Sequence, residues 1–262
     1  MQPSTADVKR RVRDQFSSSA ADYVRSVTHS SGADLARMVE LADPEVDDVL
    51  LDVATGGGHV ARIFGPLVGR VVLADLTRPM LIEAMRFLYS SGLGGVDGVA
   101  ADAEHLPFSG ATFNLVTCRI APHHFPRPDR FVLETSRVLK PDGRFILIDS
   151  TVPDGTLGDF FNRFEKLRDP SHVRSLTIEE WSGLIAESGL SLRAIESFRK
   201  RHDFDDWTAR SRTTPEARAT LVEMMRSLGN EAGSEFEVEW DDGRLVSFSD
   251  VKTLFVAVNE RA

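Results

Sequence analysis

The chain contains 262 residues, and its 40 acidic residues outnumber 31 basic ones to give a net charge of −9. This balance argues against sequence-independent binding to nucleic acid, because such binding needs clustered cations that displace counterions. The sequence contains no run of the ~18 apolar residues of a membrane span, no signal-peptide core and a single cysteine, Cys118. We therefore expect a soluble cytoplasmic protein, a monomer or homodimer, with one α/β domain over residues 1–262.

The first 45 residues are predicted to be helical. Val8, Val12 and Phe16 form one apolar stripe, and a second stripe follows between residues 35 and 41. Tyr23 lies between the two stripes. Because this segment precedes the first strand, it is expected to form a lid over the carboxyl end of that strand. A helix packed along the sheet is the alternative.

The stretch after this leader combines a strand, a glycine turn and a helix. An apolar run from Val49 to Val53 is typical of a buried parallel strand, and Gly56, Gly57 and Gly58 follow it. A helical pattern begins directly after the glycines. Free backbone N–H groups and the positive end of a helix dipole then face one point, which favours a nucleotide-like ligand there.

Alternation of strands and helices continues through residues 46–150. Each predicted strand is followed by a helical or loop segment, which indicates a parallel sheet with helices on both faces. Right-handed crossovers place the carboxyl ends of the strands at one edge, where open α/β sheets bind ligands. We expect five polar side chains from these strand ends to converge near the glycine turn: Asp52, Asp75, Asp102, Arg119 and Asp149.

Two segments interrupt this alternation, residues 151–176 and residues 205–243, and both are predicted to form a cap over the substrate. Between and after them, a capping box at Thr177, a hairpin at Asp242-Gly243 and a final strand over Val251 to Val258 are expected. The cap is rich in large apolar side chains, which favour an apolar or aromatic substrate unless they form ordinary core: Phe160, Phe161, Phe164, Trp207, Met224 and Met225.

The glycine turn is compatible with two kinds of nucleotide. The spacing Gly56-x-Gly58-x-x-Ala61, with Asp75 about 20 residues on, matches a dinucleotide fingerprint. A dinucleotide does not require the acidic strand end at Asp102. A ligand with an amino-acid tail, a ribose and an adenine uses all the carboxylates, since Asp52 faces the tail, Asp75 the ribose hydroxyls and Asp102 the adenine amino group. That ligand is S-adenosylmethionine.

Four stretches resemble the class I S-adenosylmethionine-dependent methyltransferases, in particular the small-molecule branch related to ubiquinone/menaquinone biosynthesis C-methyltransferases. They are Leu51-Asp-Val-Ala-Thr-Gly-Gly-Gly58, Ala74-Asp-Leu-Thr-Arg-Pro-Met-Leu81, Asp102-Ala-Glu-His-Leu-Pro-Phe108 and Arg137-Val-Leu-Lys-Pro-Asp-Gly143. Two positions depart from the pattern. Ala54 replaces the usual first glycine, which is acceptable with ordinary dihedrals, and Asn114 replaces an aspartate.

The resemblance implies a Rossmann-like, mostly parallel sheet of seven strands in the order 3-2-1-4-5-7-6, with helices on both faces, N-terminal lid helices and a cap made by the insertions. It implies S-adenosylmethionine as cofactor and methyl transfer to oxygen, nitrogen or carbon of a small molecule. Arg119 either contributes backbone contacts near the sulfonium or pairs with Asp149. The cofactor contacts implied are Tyr23, Asp52, Ala54, Gly56, Gly58, Asp75, Leu76, Met80, Asp102, Ala103 and Arg119.

His123 and His124 are the candidate catalytic residues. They follow the fourth strand, where the family places groups that face the transferred methyl, and an imidazole there suits removal of an acceptor proton. Pro122 and Pro126 make this loop rigid, so that one histidine serving as an anchor is the alternative. No cluster shows the spacing of metal ligands, and we predict no metal.

Three other functions are consistent with parts of the pattern. One is an enzyme that binds S-adenosylmethionine for non-methyl chemistry, such as cyclisation or decarboxylation. A nicotinamide-dependent oxidoreductase is the second, and a non-catalytic binding protein with the same fold is the third.

Overall fold

The computed structural model describes residues 4–17 and 33–261. Tyr23, a predicted cofactor contact, lies outside the described residues. The helices are α1 Thr5–Ser17, α2 Ala33–Ala42, α3 His59–Phe64, α4 Arg78–Ser90, α5 Pro128–Val138, α6 Thr156–Arg168, α7 Ile178–Glu187, α8 Phe204–Arg210, α9 Pro215–Ser227 and α10 Gly229–Glu235. The strands are β1 Val49–Val53, β2 Arg70–Asp75, β3 Val96–Ala100, β4 Phe113–Arg119, β5 Leu139–Thr151, β6 Ser191–Asp203, β7 Glu239–Asp241 and β8 Arg244–Val258.

The strands form one sheet in the order β3-β2-β1-β4-β5-β8-β6, and β7 pairs with β8. β1 to β5 are parallel, whereas β8 runs antiparallel between β5 and β6. The predicted order is confirmed, with the last strand between the fifth and the sixth. The predicted number of seven omitted β7, the short first strand of the expected hairpin. Asp242 and Gly243 connect β7 to β8 with φ of 44° and 76°, as a type I′ turn requires.

Strand register brings the predicted site residues to one edge. Val53 at the end of β1 lies opposite Ala74 in β2 and Cys118 in β4. The residues that follow these three positions therefore leave the sheet at the same level. This alignment explains how residues far apart in sequence meet at one edge, as the predicted topology requires.

Helices cover both faces of the sheet, as predicted. Leu51 and Val53 point to one face, where they join a core that includes Trp181 of α7. Leu50 points to the other face and joins a core that includes Phe64 of α3 and Leu81 of α4. The period of two along β1 thus separates two apolar cores.

β6 and β8 extend beyond the carboxyl edge of the parallel strands. β5 pairs with β8 only over residues 251–258, whereas β6 continues along β8 to Ser247. The projecting ends support α6 and the helices α8 to α10. The cap aromatics pack against each other there, for example Phe164 on Trp207 with ring centroids 5.0 Å apart. Most of the cap aromatics are therefore ordinary core, and the proposed cap boundaries stay predictions.

The glycine turn contains a left-handed alanine. Ala54 has φ of 52°, so the expectation of ordinary dihedrals at this position was wrong. Gly56 and Gly58 also have positive φ, 54° and 77°. A Cβ on Gly58 would lie 3.3 Å from the Cβ of Ala84 in α4, so that position is restricted by packing as well as by backbone conformation.

The two positions predict opposite effects of substitution on stability. Gly58→Ala should lower the free energy of unfolding by about 2 kcal/mol, because it combines left-handed strain with contact against α4. Ala54→Gly should raise it by roughly 0.5 kcal/mol, because it relieves the same strain without a new contact. Urea unfolding of both variants measures the two changes, and equal effects would contradict this account of the turn.

Candidate active site

A cavity lies at the carboxyl edge of the sheet, beside the glycine turn and beneath α1. Nine of the predicted cofactor contacts line it: Asp52, Ala54, Gly56, Asp75, Leu76, Met80, Asp102, Ala103 and Arg119. Gly58 does not line this cavity; it lies behind the turn, against α4. His124 also lines the cavity, with Phe16 of α1 beside it.

Asp75 ends β2 with its carboxylate held in place. One oxygen accepts the N–H and the hydroxyl of Thr77 at 2.9 and 2.6 Å, and the other accepts the N–H of Gly56 at 3.1 Å. Thr77 occupies the N-cap position of α4 as predicted, but its hydroxyl bonds Asp75 instead of the helix N–H groups. Burial raises the pKa of Asp75. The fixed carboxylate keeps acceptor capacity toward the cavity.

Asp52 is held by two hydroxyl groups that the sequence analysis missed. Thr55 in the turn donates to one oxygen at 2.6 Å, and Thr117 of β4 donates to the other at 2.9 Å. The side chain is almost fully buried, and burial raises its pKa to about 6. Asp52 therefore ties the turn to β4 while lining the cavity.

Asp102 contacts the first helix. Its carboxylate lies 2.6 Å from the ammonium of Lys9, which also contacts buried Glu104 at 2.5 Å. α1 is thereby attached to the end of the cavity where the adenine is predicted to bind. Among the described residues, Asp102, Glu104 and His105 are the one group close enough to hold a metal ion, and Lys9 already pairs with two of them.

Arg119 pairs with a residue that was not considered in the sequence analysis. Its guanidinium lies 2.6 Å from Asp34 of α2. The expected alternative, a pair between Arg119 and Asp149, is wrong, because Asp149 instead lies 2.6 Å from Nδ1 of His123. Arg119 thus anchors α2 to the end of β4.

A second cavity adjoins the first and shares Phe16, Ile120 and His124 with it. We call it the histidine cavity. Four histidines line it together with charged residues from α6, α8, β6 and β8. Its other lining residues are His123, Ser150, Glu165, Arg168, Asp169, His172, Lys200, His202, Trp207, Arg210, Asp250 and Lys252.

The hydrogen bonds of His124 determine which of its nitrogens carries the proton. Ser171 Oγ lies 2.5 Å from Asp169 and donates its single hydrogen to that carboxylate. Nδ1 of His124 lies 3.2 Å from the same hydroxyl oxygen and must therefore be the donor. Burial, reinforced by His123, lowers the pKa of His124 to about 4, so the ring is neutral near pH 7. Nε2 then carries a lone pair.

His123 and His172 are held in the same manner. His123 directs Nδ1 to Asp149, which leaves Nε2 as its other nitrogen. Nε2 of His172 lies 3.0 Å from Oδ1 of Asn162, an oxygen that also accepts the N–H of Ser175. Burial lowers the pKa of His172 well below its usual value. The ring of His123 lies 4.2 Å from that of His124 and 5.5 Å from that of His172.

The opposite wall comes from β6 and β8, and the sequence analysis missed it. Lys200 and His202 alternate along β6, and Asp250 and Lys252 alternate along β8, with Lys200 opposite Asp250 in the register. Burial alone would raise the pKa of Asp250. The charges of Lys252 and His202 nevertheless hold that pKa well below its usual value. The available signal was in β8, where the charged residues Asp250 and Lys252 alternate within a mostly buried strand.

Comparison with known proteins agrees with this geometry. The pattern of the methyltransferase domain family matches residues 51–147. The uncharacterised methyltransferase YcgJ of Bacillus subtilis is 33% identical over 235 residues, which are 89% of this chain and 93% of that relative. The chain belongs to the class I S-adenosylmethionine-dependent methyltransferases. The crystal structure of a methyltransferase candidate from Bacillus halodurans has a TM-score of 0.86 at 39% identity, covering 88% of this chain and 100% of that one.

A ubiquinone/menaquinone biosynthesis C-methyltransferase, UbiE of Teredinibacter turnerae, is 34% identical over 163 residues, 59% of this chain and 65% of that relative. The predicted resemblance, fold and cofactor are therefore confirmed: this methyltransferase uses S-adenosylmethionine. The nicotinamide alternative is excluded by the family. In residues 4–17 and 33–261, no helix combines the length and apolar character needed to cross a membrane.

The residues of this methyltransferase fit that cofactor. Asp75 presents a fixed, buried carboxylate of the kind that accepts two ribose hydroxyls. Met80, Leu76 and Ala103 supply apolar lining in the same cavity as Asp75 and Asp102, which suits a flat adenine ring. Gly56 leaves the turn without a side chain where the backbone lines the cavity.

The neutral histidines of this methyltransferase predict loss of stability in acid. The pKa of His124 in the folded state, about 4, lies below its ordinary value of 6.5, so the unfolded state binds more protons between these values. As pH falls from 6.5 to 4, this one group should lower the free energy of unfolding by on the order of 2–3 kcal/mol. Urea unfolding across this range measures the decline.

His124→Gln should flatten that decline, although His172 will keep part of it. The matched control is His105→Gln, since the side chain of His105 is 76% exposed. A His124→Gln curve that superimposes on that of the unmodified protein would show that His124 is not buried in its neutral form.

Proposed function

We propose that this methyltransferase methylates a small polar molecule bound in the histidine cavity, and that His124 accepts the proton that the acceptor loses. The observation that carries the proposal is the position of His124, which lines both cavities while its Nδ1 is committed to Ser171. A group at this boundary can face the cofactor on one side and the acceptor on the other.

When bound, S-adenosylmethionine supplies an electrophilic methyl group on a sulfonium. The chain has to align the acceptor with that group and exclude water, because the reactivity already resides in the cofactor. Asp75 is proposed to hold the ribose, Asp102 the adenine, and Asp52 with the turn amides the amino-acid tail. Phe16 of α1 contacts the ring of His124 edge-on and lines both cavities, so α1 shields the boundary between them.

His124 is proposed as the proton acceptor through Nε2. The Ser171 hydroxyl and the Asp169 carboxylate hold the ring and favour the imidazolium that would form, since Asp169 raises the pKa of His124 against the larger effect of burial. A base of such low pKa takes protons most readily from acidic hydroxyl, ammonium or carbon acids. His123, fixed by Asp149, packs against His124 and orients it.

The acceptor is proposed to be polar, not apolar. Of the six large side chains that suggested an apolar or aromatic acceptor, Trp207 alone lines the histidine cavity in the described part of the chain. The other five belong to the cap core: Phe160, Phe161, Phe164, Met224 and Met225. Charged and imidazole groups form most of the remaining wall. The name of the UbiE relative, a C-methyltransferase of ubiquinone/menaquinone biosynthesis, supports an acceptor with an acidic C–H or O–H group.

The cofactor assignment predicts a loss of affinity in Asp75→Ala. Removal of charge-assisted hydrogen bonds to the ribose should weaken binding of S-adenosylhomocysteine by about 1.5–3 kcal/mol, which is roughly 10- to 150-fold. Isothermal titration calorimetry measures the change. The control is Asp97→Ala, which removes an exposed carboxylate that pairs with Arg70 at the sheet edge. An unchanged dissociation constant in Asp75→Ala would remove Asp75 from the site.

The base assignment predicts a slow but ligand-competent variant. In His124→Asn, the rate of S-adenosylhomocysteine release during turnover with an acceptor should fall by about 10²- to 10⁴-fold. The affinity for S-adenosylhomocysteine should stay within twofold of the unmodified protein. Full activity in this variant would show that His124 is not the base, so that either His123 accepts the proton or the reaction needs no base. Consumption of an acceptor without release of S-adenosylhomocysteine would instead indicate non-methyl chemistry.

A further inference from the structure

We infer that the acceptor carries an anionic group, a carboxylate or a phosphate, which binds the ammonium of Lys200 on the wall of the histidine cavity. This inference rests on the proposed function for the location of the acceptor. It adds the charge of the acceptor and the residue that selects it.

The ammonium of Lys200 has no partner among the described residues, whether hydrogen bond or ion pair within 4.0 Å. The side chain is nevertheless partly buried, and it lines the cavity. Burial lowers the pKa of Lys200 to about 8, and repulsion by Lys252 and Arg119 lowers it further, against the attraction of Asp250 and Asp34. The ammonium form still predominates at pH 7. A partly buried cation without a direct ion pair is costly, and a bound anion would reduce that cost.

The carboxylates of the cavity are already engaged with other groups. Glu165 pairs with Arg168 at 2.9 Å, and Asp250 pairs with Lys252 at 2.7 Å. Asp169 accepts both the hydroxyl and the N–H of Ser171. These three carboxylates therefore have direct partners other than Lys200, and the ammonium of Lys200 is available to a ligand.

The position of Lys200 is compatible with an acceptor that also reaches His124. Lys200 lies on β6 opposite Asp250, in the half of the strand that projects beyond the parallel strands. His124 comes from the loop after β4, and both side chains line the same cavity. An acceptor anchored through its anion at Lys200 would present its reactive group toward the boundary with the cofactor cavity. Its negative charge would also raise the pKa of His124 and make that ring a better base.

The test compares three probes that share a ring and differ in charge: benzamide, benzoate and phenyl phosphate. Calorimetric titration with each is performed on the full chain saturated with S-adenosylhomocysteine, and repeated without it. We expect at least one anion to bind about 10- to 100-fold more tightly than benzamide. The stronger of the two anions distinguishes a carboxylate from a phosphate.

Three variants identify the residue responsible. Lys200→Met should abolish the preference for the anion, and Lys200→Arg should retain most of it. Arg201→Met is the matched control, because Arg201 is the next residue of β6, points to the opposite side of the strand and pairs with exposed Glu239; it should keep the full preference. Circular dichroism and urea unfolding confirm that each variant is folded.

Equal binding of the anions and benzamide by the unmodified protein would overturn the inference, and so would an unchanged preference in Lys200→Met. Neither result would affect the proposed function, which is tested by release of S-adenosylhomocysteine. Conversely, a preference that depends on Lys200 in a protein without methyl transfer would support the anion site and contradict the proposed reaction.

Discussion

The buried carboxylate of Asp52 is the contact on which the site depends. It accepts hydrogen bonds from the hydroxyl groups of Thr55 in the glycine turn and Thr117 in β4. Asp52 lies within β1, a strand that is paired on both sides. A charge in that position is tolerated because both oxygens are satisfied. The turn cannot move relative to β4 without breaking one of these hydrogen bonds. The side of the cavity that the turn and β1 form is therefore held in place. His124 lies only five residues beyond Arg119, the last residue of β4, so its position also depends on this strand.

The histidine cavity depends on a different constraint. The antiparallel pair β6 and β8 extends past the carboxyl ends of the parallel strands, and the helices of the cap pack on the projecting part. This arrangement places charged strand residues beside the loop after β4. It also explains why aromatic residues are abundant there without facing a ligand. They form a small separate core that holds the projecting strands in place, with Phe161 and Phe164 almost fully buried.

The sequence predicted the features that follow from the repeated alternation of strands and helices. It missed contacts that single side chains make with residues far away in the chain. The alternation of strands and helices predicted a parallel sheet with its strand ends at one edge, because each crossover is right-handed, whereas the strand order followed from the family resemblance. It located Asp75 and the histidines for the same reason. Thr55 and Thr117 were missed because a hydroxyl that binds a buried carboxylate leaves no periodic signal. The role of Lys200 was missed because it depends on which residues of β8 and α6 lie beside it. Pairing between strands 50 residues apart cannot be deduced from a single sequence. The φ of Ala54 was wrongly expected to be ordinary, since residue type alone favours right-handed backbone there.

The boundary of the family pattern has a consequence for how this protein can change. The pattern ends at residue 147, whereas most of the histidine cavity is built from residues 150–252. The exceptions are Phe16, Ile120, His123 and His124, of which Ile120 and His124 lie within the pattern and line both cavities. Under the proposed function, an earlier part of the chain handles the cofactor and a later part selects the acceptor, and the residues that line both cavities connect the two parts. Substitutions in the later part can alter what is methylated without disturbing nucleotide recognition, so specificity can diversify within a lineage while the chemistry is preserved.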